Sequence, residues 1–405
     1  MRFLSTLALP FVLATPVTNA QDWPAYLGDG TAIVKGTMNG DWKSSPPKTL
    51  WKKEIGKGCT SWAIANDRAI VGGNDGKQDT WWCFDAPSGD LLWKHSYKQA
   101  LDPKLYEGGP NCTPTIDDGL VYTLSKTGKL FCLKLSDGTV AWEKDLANDF
   151  AGRAPDWGYS ASPTIHGDLL LTLPSGKKGA LYALDKKTGK TVWNSTNDAR
   201  PGYAAPVITK LKGTTAALVF HGRNLLAYDL DKNGAVLFDQ SWRTPWDVNA
   251  SNPQLHNNKL FIASGYGMGY AVVDVSGSKP KMVHKESETR MIFQNSLLVD
   301  GDIIGVFGDK NIDAELIRMD LASGDVRWKV KLPGTRGSSL LVGDQLVCLL
   351  ETGDLLTGTA TKDKFTETGR LKILDKRCWS SIAYANGRLF ARNNNGQAVC
   401  LDASK

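Results

Sequence analysis

Apolar and polar residues alternate along most of this chain in runs of roughly four to eight positions, the period of half-buried strands. Turns rich in Gly, Asn and Asp separate the runs. The clearest run is Ala183–Trp193, ALDKKTGKTVW, which reads as a strand to Asp185, a turn over Lys187, Thr188 and Gly189, and a strand ending in an indole. The order recurs at Phe84–Trp93 (FDAPSGDLLW), Leu133–Trp142 (LKLSDGTVAW) and Met319–Trp328 (MDLASGDVRW), with Trp four residues after Gly each time. Looser copies lie at Tyr228–Phe238 (YDLDKNGAVLF), with one extra turn residue, and at Val273–Val283 (VDVSGSKPKMV). A strand-turn-strand unit cannot bury its own apolar face. Recurrence at roughly 40–50 residues therefore predicts a solenoid or a propeller.

A second pattern precedes each copy. Cys59–Val71, Cys112–Tyr122, Ser160–Leu171, Asn249–Ile262, Asn295–Val306, Ser338–Val347 and Trp379–Phe390 each join a small-residue strand to a β-rich one through an Asx or Gly turn, and Ala204–Phe220 is a longer version. This is hairpin chemistry. Units begin near residues 58, 110, 158, 202, 249, 291 and 335, the last without the TG turn and the Trp. The ends are complementary: Lys48–Ile55, with Trp51, reads as an outer strand without its unit, and Trp379–Asp402 reads as a unit without its outer strand. Joining them closes a ring and leaves fewer bare sheet edges. The predicted fold is all-β, an eight-bladed β-propeller of four-stranded antiparallel blades. Residues 46–405 form the propeller and 21–45 an aromatic, Gly-rich extension lying across the folded body. No helical periodicity competes after residue 20. The indoles of Trp51, Trp93, Trp142, Trp193 and Trp328 are expected to wedge between neighbouring blades, a structural role.

Residues 1–20 read as an export signal, with Arg2, the apolar stretch Phe3–Val12, and cleavage after Ala20. The apolar stretch is too short to span a bilayer. No Cys precedes Cys59, so no lipid anchor is expected, and the protein is expected in the periplasm or secreted, as a monomer. The net charge of +6 is scattered among acids without a basic run, which argues against nucleic acid as a partner. The seven cysteines show no metal-ligand spacing. Cys83, Cys132 and Cys400 occupy a slot that holds Ala elsewhere and read as small buried residues, while a disulfide between units stays open. GYGMGY (Gly265–Tyr270) has no helix after it and reads as a hairpin turn rather than a dinucleotide loop.

Ala183–Trp193 matches the motif A-x-D-x-x-T-G-x-x-x-W, and Asp22-Trp23-Pro24 matches a DWP found near the start of many secreted relatives of that motif. On these residues the chain resembles the bacterial PQQ-like (pyrroloquinoline quinone repeat) β-propellers. That superfamily includes quinoprotein alcohol dehydrogenases and the propeller lipoprotein of the outer-membrane protein assembly complex. The resemblance implies the fold more strongly than an activity. The chain lacks the adjacent cysteine pair of many such dehydrogenases and the CxxCH of a covalent haem. Asp156, Asp247 and Glu351 fall in no recognisable catalytic motif. The expected role is a non-catalytic binding or scaffold module of the cell envelope, with no cofactor and with an envelope protein, a peptide or a polysaccharide as partner. The alternative is a PQQ-dependent dehydrogenase with divergent ligands, which would need PQQ and Ca²⁺.

Propeller ligands bind where the blade-to-blade connections gather. Here those connections are Tyr97–Pro110, Asp145–Tyr159, Trp242–Asn249 and Leu374–Trp379. Trp157, Tyr159, Trp246, Asp247, Arg336, Arg377 and Trp379 are the candidate ligand-binding residues, offering flat stacking faces and charge-assisted hydrogen bonds.

Overall fold

Each predicted hairpin forms, and the reason is visible at its turn. In the first unit Asn66 and Asp67 both take positive φ (51° and 55°), the pair of left-handed residues that a tight turn between right-twisted strands requires. The computed structural model describes residues 21–405, so the expected export signal lies outside it. Eight sheets result. In the first blade Ala63–Ala65, Arg68–Asn74, Gln78–Asp85 and Leu91–Lys98 pair antiparallel from the centre outward. Burial falls in the same direction. Ala63–Ala65 is buried throughout, whereas Trp93 is the buried residue of the outer strand Leu91–Lys98.

The ring closes through the predicted pairing of the two chain ends. Lys48–Glu54 pairs antiparallel with Gln397–Asp402, setting Thr49 opposite Leu401 and Trp51 opposite Cys400. Arg392, fully buried, reinforces this joint. It donates to the carbonyls of Gly56 (2.8 Å) and Asn393 (3.1 Å), to Thr60 Oγ1 (3.1 Å), and to the carbonyl of Gly72 in the first blade.

The indoles sit between blades. Trp51 Nε1 donates to the Ala86 carbonyl at 3.0 Å, Trp93 to Leu135 at 2.9 Å, and Trp142 to Lys186 at 3.0 Å. Each ring covers a turn glycine of the next blade. A Cβ on Gly138 would lie 2.5 Å from Trp93, and Gly138 has φ +73°, so the position excludes a side chain twice over. Trp51 covers Gly89, Trp142 covers Gly189, and Trp193 covers Gly234 in the same way. Trp328 reaches the Thr361 carbonyl at 3.0 Å, in a blade that has no such turn.

Three features depart from the sequence reading. The extension is not devoid of strand: Ile33–Val34 pairs parallel with Leu341 and Val342 and gives the seventh blade a fifth strand. A short helix, Leu146–Phe150, stands where only loop is expected, because Asp145 Oδ1 caps it by accepting from the N–H groups of Ala147 (3.0 Å) and Asn148 (3.1 Å). A 3₁₀ turn, Leu230–Lys232, takes up the extra residue of the fourth unit. The seven cysteines are free thiols, so no disulfide joins the blades, and Cys83, Cys132 and Cys400 are fully buried.

Candidate functional site

The extended segments just ahead of the inner strands converge on the central channel. Cys59 and Ser61, Asn111 and Thr113, Ser160 and Ser162, Tyr203 and Ala205, and Val248 and Ala250 line one cavity of about 440 Å³. Ile292, Arg336 and Trp379 complete the ring from the remaining three blades. The two-residue spacing is that of extended backbone whose alternate side chains face one way. Small residues at these positions leave the channel unfilled, and blade-to-blade connections supply its rim.

The other end is closed by the N-terminal extension. Trp23 exchanges backbone hydrogen bonds with Ile64 (2.8 and 2.7 Å), and the Pro24 carbonyl accepts from the Ile116 N–H at 2.7 Å. The Ala32 carbonyl accepts from the Leu341 N–H at 2.9 Å. Between these anchors Tyr26 lines the cavity, and its hydroxyl accepts from Asn295 Nδ2. The extension therefore spans the channel from the first and second blades to the sixth and seventh, and the cavity is blind at that end.

At the rim, one carboxylate organises two aromatic rings and a cation. Glu351 Oε1 accepts from Trp379 Nε1 (2.7 Å) and Arg336 Nη1 (3.1 Å), and Oε2 accepts from Thr335 Oγ1 (2.6 Å) and the Thr335 N–H (3.2 Å). Burial pushes the Glu351 carboxyl upward. The hydrogen bonds from Thr335 and Trp379 and the nearby Arg336 charge outweigh it and hold the group below the ordinary glutamate value, ionised. The Arg336 guanidinium lies 5.2 Å from the Phe293 ring and 5.1 Å from Trp379, and the Arg377 guanidinium lies 4.3 Å from the Trp379 ring. Arg377 is held by Glu107 Oε1 at 2.7 Å, and Glu107 Oε2 accepts from Asn394 at 2.8 Å.

The opposite wall is mainly aromatic, and Lys104 also lines it. Trp157 Nε1 donates to the Lys104 carbonyl at 2.9 Å, and the Trp157 N–H donates to Tyr203 Oη at 3.3 Å. Burial raises the phenol pKa of Tyr106 and Tyr203 on this wall, and of Tyr266 nearer Arg336, so all three remain protonated near neutrality. Burial likewise pushes the Cys59 thiol up to about 12, which leaves it a thiol rather than a nucleophilic thiolate.

Of the residues singled out from sequence, Trp157, Arg336, Arg377 and Trp379 line this cavity. Three do not. Tyr159 is buried away from it, donating to the Pro174 carbonyl at 3.3 Å. Asp247 is committed to Arg223 at 2.8 Å, and Trp246 is 59% exposed outside the cavity. Sequence reasoning missed Tyr26, Tyr106, Tyr203, Tyr266 and Phe293. Tyr203 had a signal, since it stands two residues before Ala205 in the repeating small-residue strand. Tyr266 sits in GYGMGY, which forms the expected hairpin turn.

The fold family also implies PQQ and Ca²⁺. A planar anionic quinone finds stacking faces and cations here, but the metal half does not fit. Glu107 and Glu351 are taken up by arginines and by donors from Asn, Thr and Trp. No group of three or more His, Cys, Asp or Glu able to hold a metal exists among the described residues.

Comparison with known proteins adds four matches. Residues 77–330 match the family described as outer membrane protein assembly factor BamB. The outer membrane protein assembly factor BamB of Yersinia pestis is 25% identical over 249 residues, 60% of this chain and 55% of the relative, so the match spans about half the relative's length. Among solved structures, BamB from Moraxella catarrhalis superposes with a TM-score of 0.60 at 17% identity, covering 88% of this chain and 97% of that one. The quinohemoprotein alcohol dehydrogenase from Comamonas testosteroni gives 0.68 at 11% identity, covering 95% and 81%. At such identities these two likenesses speak for the fold alone.

Proposed function

The chain belongs to the family described as outer membrane protein assembly factor BamB, and from that premise we propose that it is a non-catalytic binding propeller of the bacterial envelope. In this reading it is exported to the periplasm or secreted, works without a cofactor, and holds a partner protein at the channel mouth. The observation that carries the proposal is the condition of the two rim carboxylates. Glu351 and Glu107 spend their oxygens orienting Arg336, Trp379 and Arg377. A general acid or base needs a free carboxyl at the reacting group. Here the carboxylates instead stiffen a cationic, aromatic recognition surface, the residue types that dominate interface energetics. Among the described residues no helix is long and apolar enough to cross a membrane.

Immobilised protein incubated with envelope extract is expected to retain components of outer-membrane protein assembly, and to lose them when Trp157 and Arg377 are both replaced by Ala. Retention unaffected by the double substitution would move the partner site away from the channel mouth. Stoichiometric PQQ binding with dye-linked alcohol oxidation would replace the proposal with a dehydrogenase.

A further inference from the structure

The segments that line the channel spend their backbone donors on one another. The Cys59 N–H donates to the Pro110 carbonyl (2.9 Å), Ser61 to Thr113 Oγ1 (3.2 Å) and Thr113 to Ser162 Oγ (2.9 Å). Tyr203 donates to the Asn249 carbonyl (2.9 Å) and Ala205 to Asn252 Oδ1 (3.2 Å). These donors are closed to an incoming peptide backbone, which binds by a ladder of such groups. The rim charges are matched too: Arg336 with Glu351 at 3.1 Å, Arg377 with Glu107 at 2.7 Å, and Lys104 with Asp102 at 3.5 Å. Lys310, also on the lining, is exposed to solvent. A ligand needs no charge of its own to satisfy this rim.

What stays open is neutral. Trp157, Tyr203, Tyr266, Phe293 and Trp379 line the cavity half-buried, each with part of its surface accessible. Neighbouring rings are tilted, Trp157 to Tyr203 by 55° and Phe293 to Trp379 by 60°, so neither pair makes a parallel slot for a flat aromatic guest. Asn111 Oδ1 and Tyr266 Oη have no partner among the described residues, and neither is cut off from solvent. Ser61, Thr113, Ser160, Ser162 and Ser381 make the rest of the lining hydroxylated rather than apolar. A sugar answers each of these features. Its ring lays a C–H face on one aromatic ring and sends hydroxyls sideways, each a donor and an acceptor, to amide, phenol and hydroxyl groups. Going beyond the reading of the mouth as a protein-binding surface, we propose that the cavity holds the end of a neutral glycan chain. At about 440 Å³ the cavity has the size of a small-molecule site, and it is blind at Tyr26, so the chain enters by a terminus. The terminal sugar lies on the Trp157 indole, next to Asn111, whose Nδ2 donates to the Trp157 carbonyl at 3.2 Å and whose Oδ1 is free.

The test is saturation-transfer NMR and tryptophan fluorescence of the purified protein with N,N′-diacetylchitobiose, cellobiose and maltose. At least one of these is expected to bind with a Kd of about 1 mM or below, with saturation strongest on the ring C–H protons. Trp157→Ala is expected to weaken that sugar about 10-fold, and Tyr266→Phe, which keeps the ring and loses the hydroxyl, about 3-fold. Circular dichroism on each variant separates lost recognition from lost folding, and the sugar titration itself needs no variant. No binding of any of the sugars at about 20 mM overturns the inference. So does binding of acetyl-Gly-Leu-Phe amide in their place, which would assign the cavity to a peptide. Partner capture from envelope extract without sugar binding would leave the channel-mouth proposal standing and remove this one. Sugar binding without capture would do the reverse.

Discussion

The joints of this ring divide into two kinds. From the eighth blade round to the fourth, each joint is one indole laid on one glycine: Trp51 on Gly89, Trp93 on Gly138, Trp142 on Gly189, Trp193 on Gly234. From the fourth blade round to the eighth, every joint is improvised. Asn249 clamps the fourth to the fifth by donating to the carbonyls of His221 (2.8 Å), Gly222 (3.1 Å) and Trp242 (3.1 Å). His284 stacks on Tyr270 and covers Gly324. Trp328 finds the Thr361 carbonyl without a turn glycine. Trp42, from the extension, packs on Gly369 of the seventh blade's outer strand, while the Asn39 N–H takes the Ala403 carbonyl at 2.9 Å. Ala403 follows Asp402 as Ala86 follows Asp85, so that backbone donor occupies the place of an indole N–H. A donor to a carbonyl recurs at these joints, most of them with a flat ring beside it, and the chain supplies both from several places.

The sharpest break of this contrast is expected at Arg392, which no other joint resembles. Arg392→Met removes the donors to Gly56, Gly72, Thr60 and Asn393 together. At about 1.5–3 kcal/mol for each hydrogen bond made by a charged group, chemical denaturation is expected to show a loss of about 4 kcal/mol or more. Next come Trp93→Ala and Trp42→Ala. If the extension supplies a true joint, both cost about 3–4 kcal/mol in the same denaturation experiment. A loss under about 1 kcal/mol for Trp42→Ala alone would reduce the extension to a surface strap.

The smallest effect is one of pH and belongs to the polar joint. Burial holds His221 neutral, with its pKa lowered to about 3, and its Nε2 lies 2.8 Å from Tyr228 Oη. The unfolded chain takes up this proton below about pH 6.5, whereas the folded protein refuses it until about pH 3. The stability tied to His221 is thus complete above pH 6.5 and falls as pH drops, by about 1.4 kcal/mol per pH unit. His221→Phe is expected to flatten this part of the stability–pH profile between pH 6 and 4, as measured by urea denaturation. An unchanged slope would mean that other groups set acid sensitivity.

The two halves were also unequally legible. Motifs such as Ala183–Trp193 encode ring, turn and spacing within one stretch, so the first kind of joint and the number of blades could be read directly. Trp42 lies more than three hundred residues from Gly369, and nothing local announces that pairing. The rim divides in the same way. Arg336 and Trp379 adjoin recognisable inner strands, and both line the cavity. Tyr159, Trp246 and Asp247 lie in or beside connections without periodicity, where neighbours decide which way a side chain turns. Arg223 claims Asp247, and Tyr159 is drawn inward to the Pro174 carbonyl. Tyr26 was beyond reach for a further reason: the extension's path across the channel depends on backbone bonds to Ile64, Ile116 and Leu341, which side-chain patterns do not record.

The account stands on the extension as a built part of the channel, and hydrogen exchange at two amides tests this most directly. The N–H groups of Ile116 and Leu341 have as acceptors the carbonyls of Pro24 and Ala32. Both are expected to be protected to the same degree as amides within the blades, and to exchange orders of magnitude faster once residues 21–45 are removed. Rapid exchange at both sites in the intact protein, with the blades still protected, would mean that the channel is open at both ends.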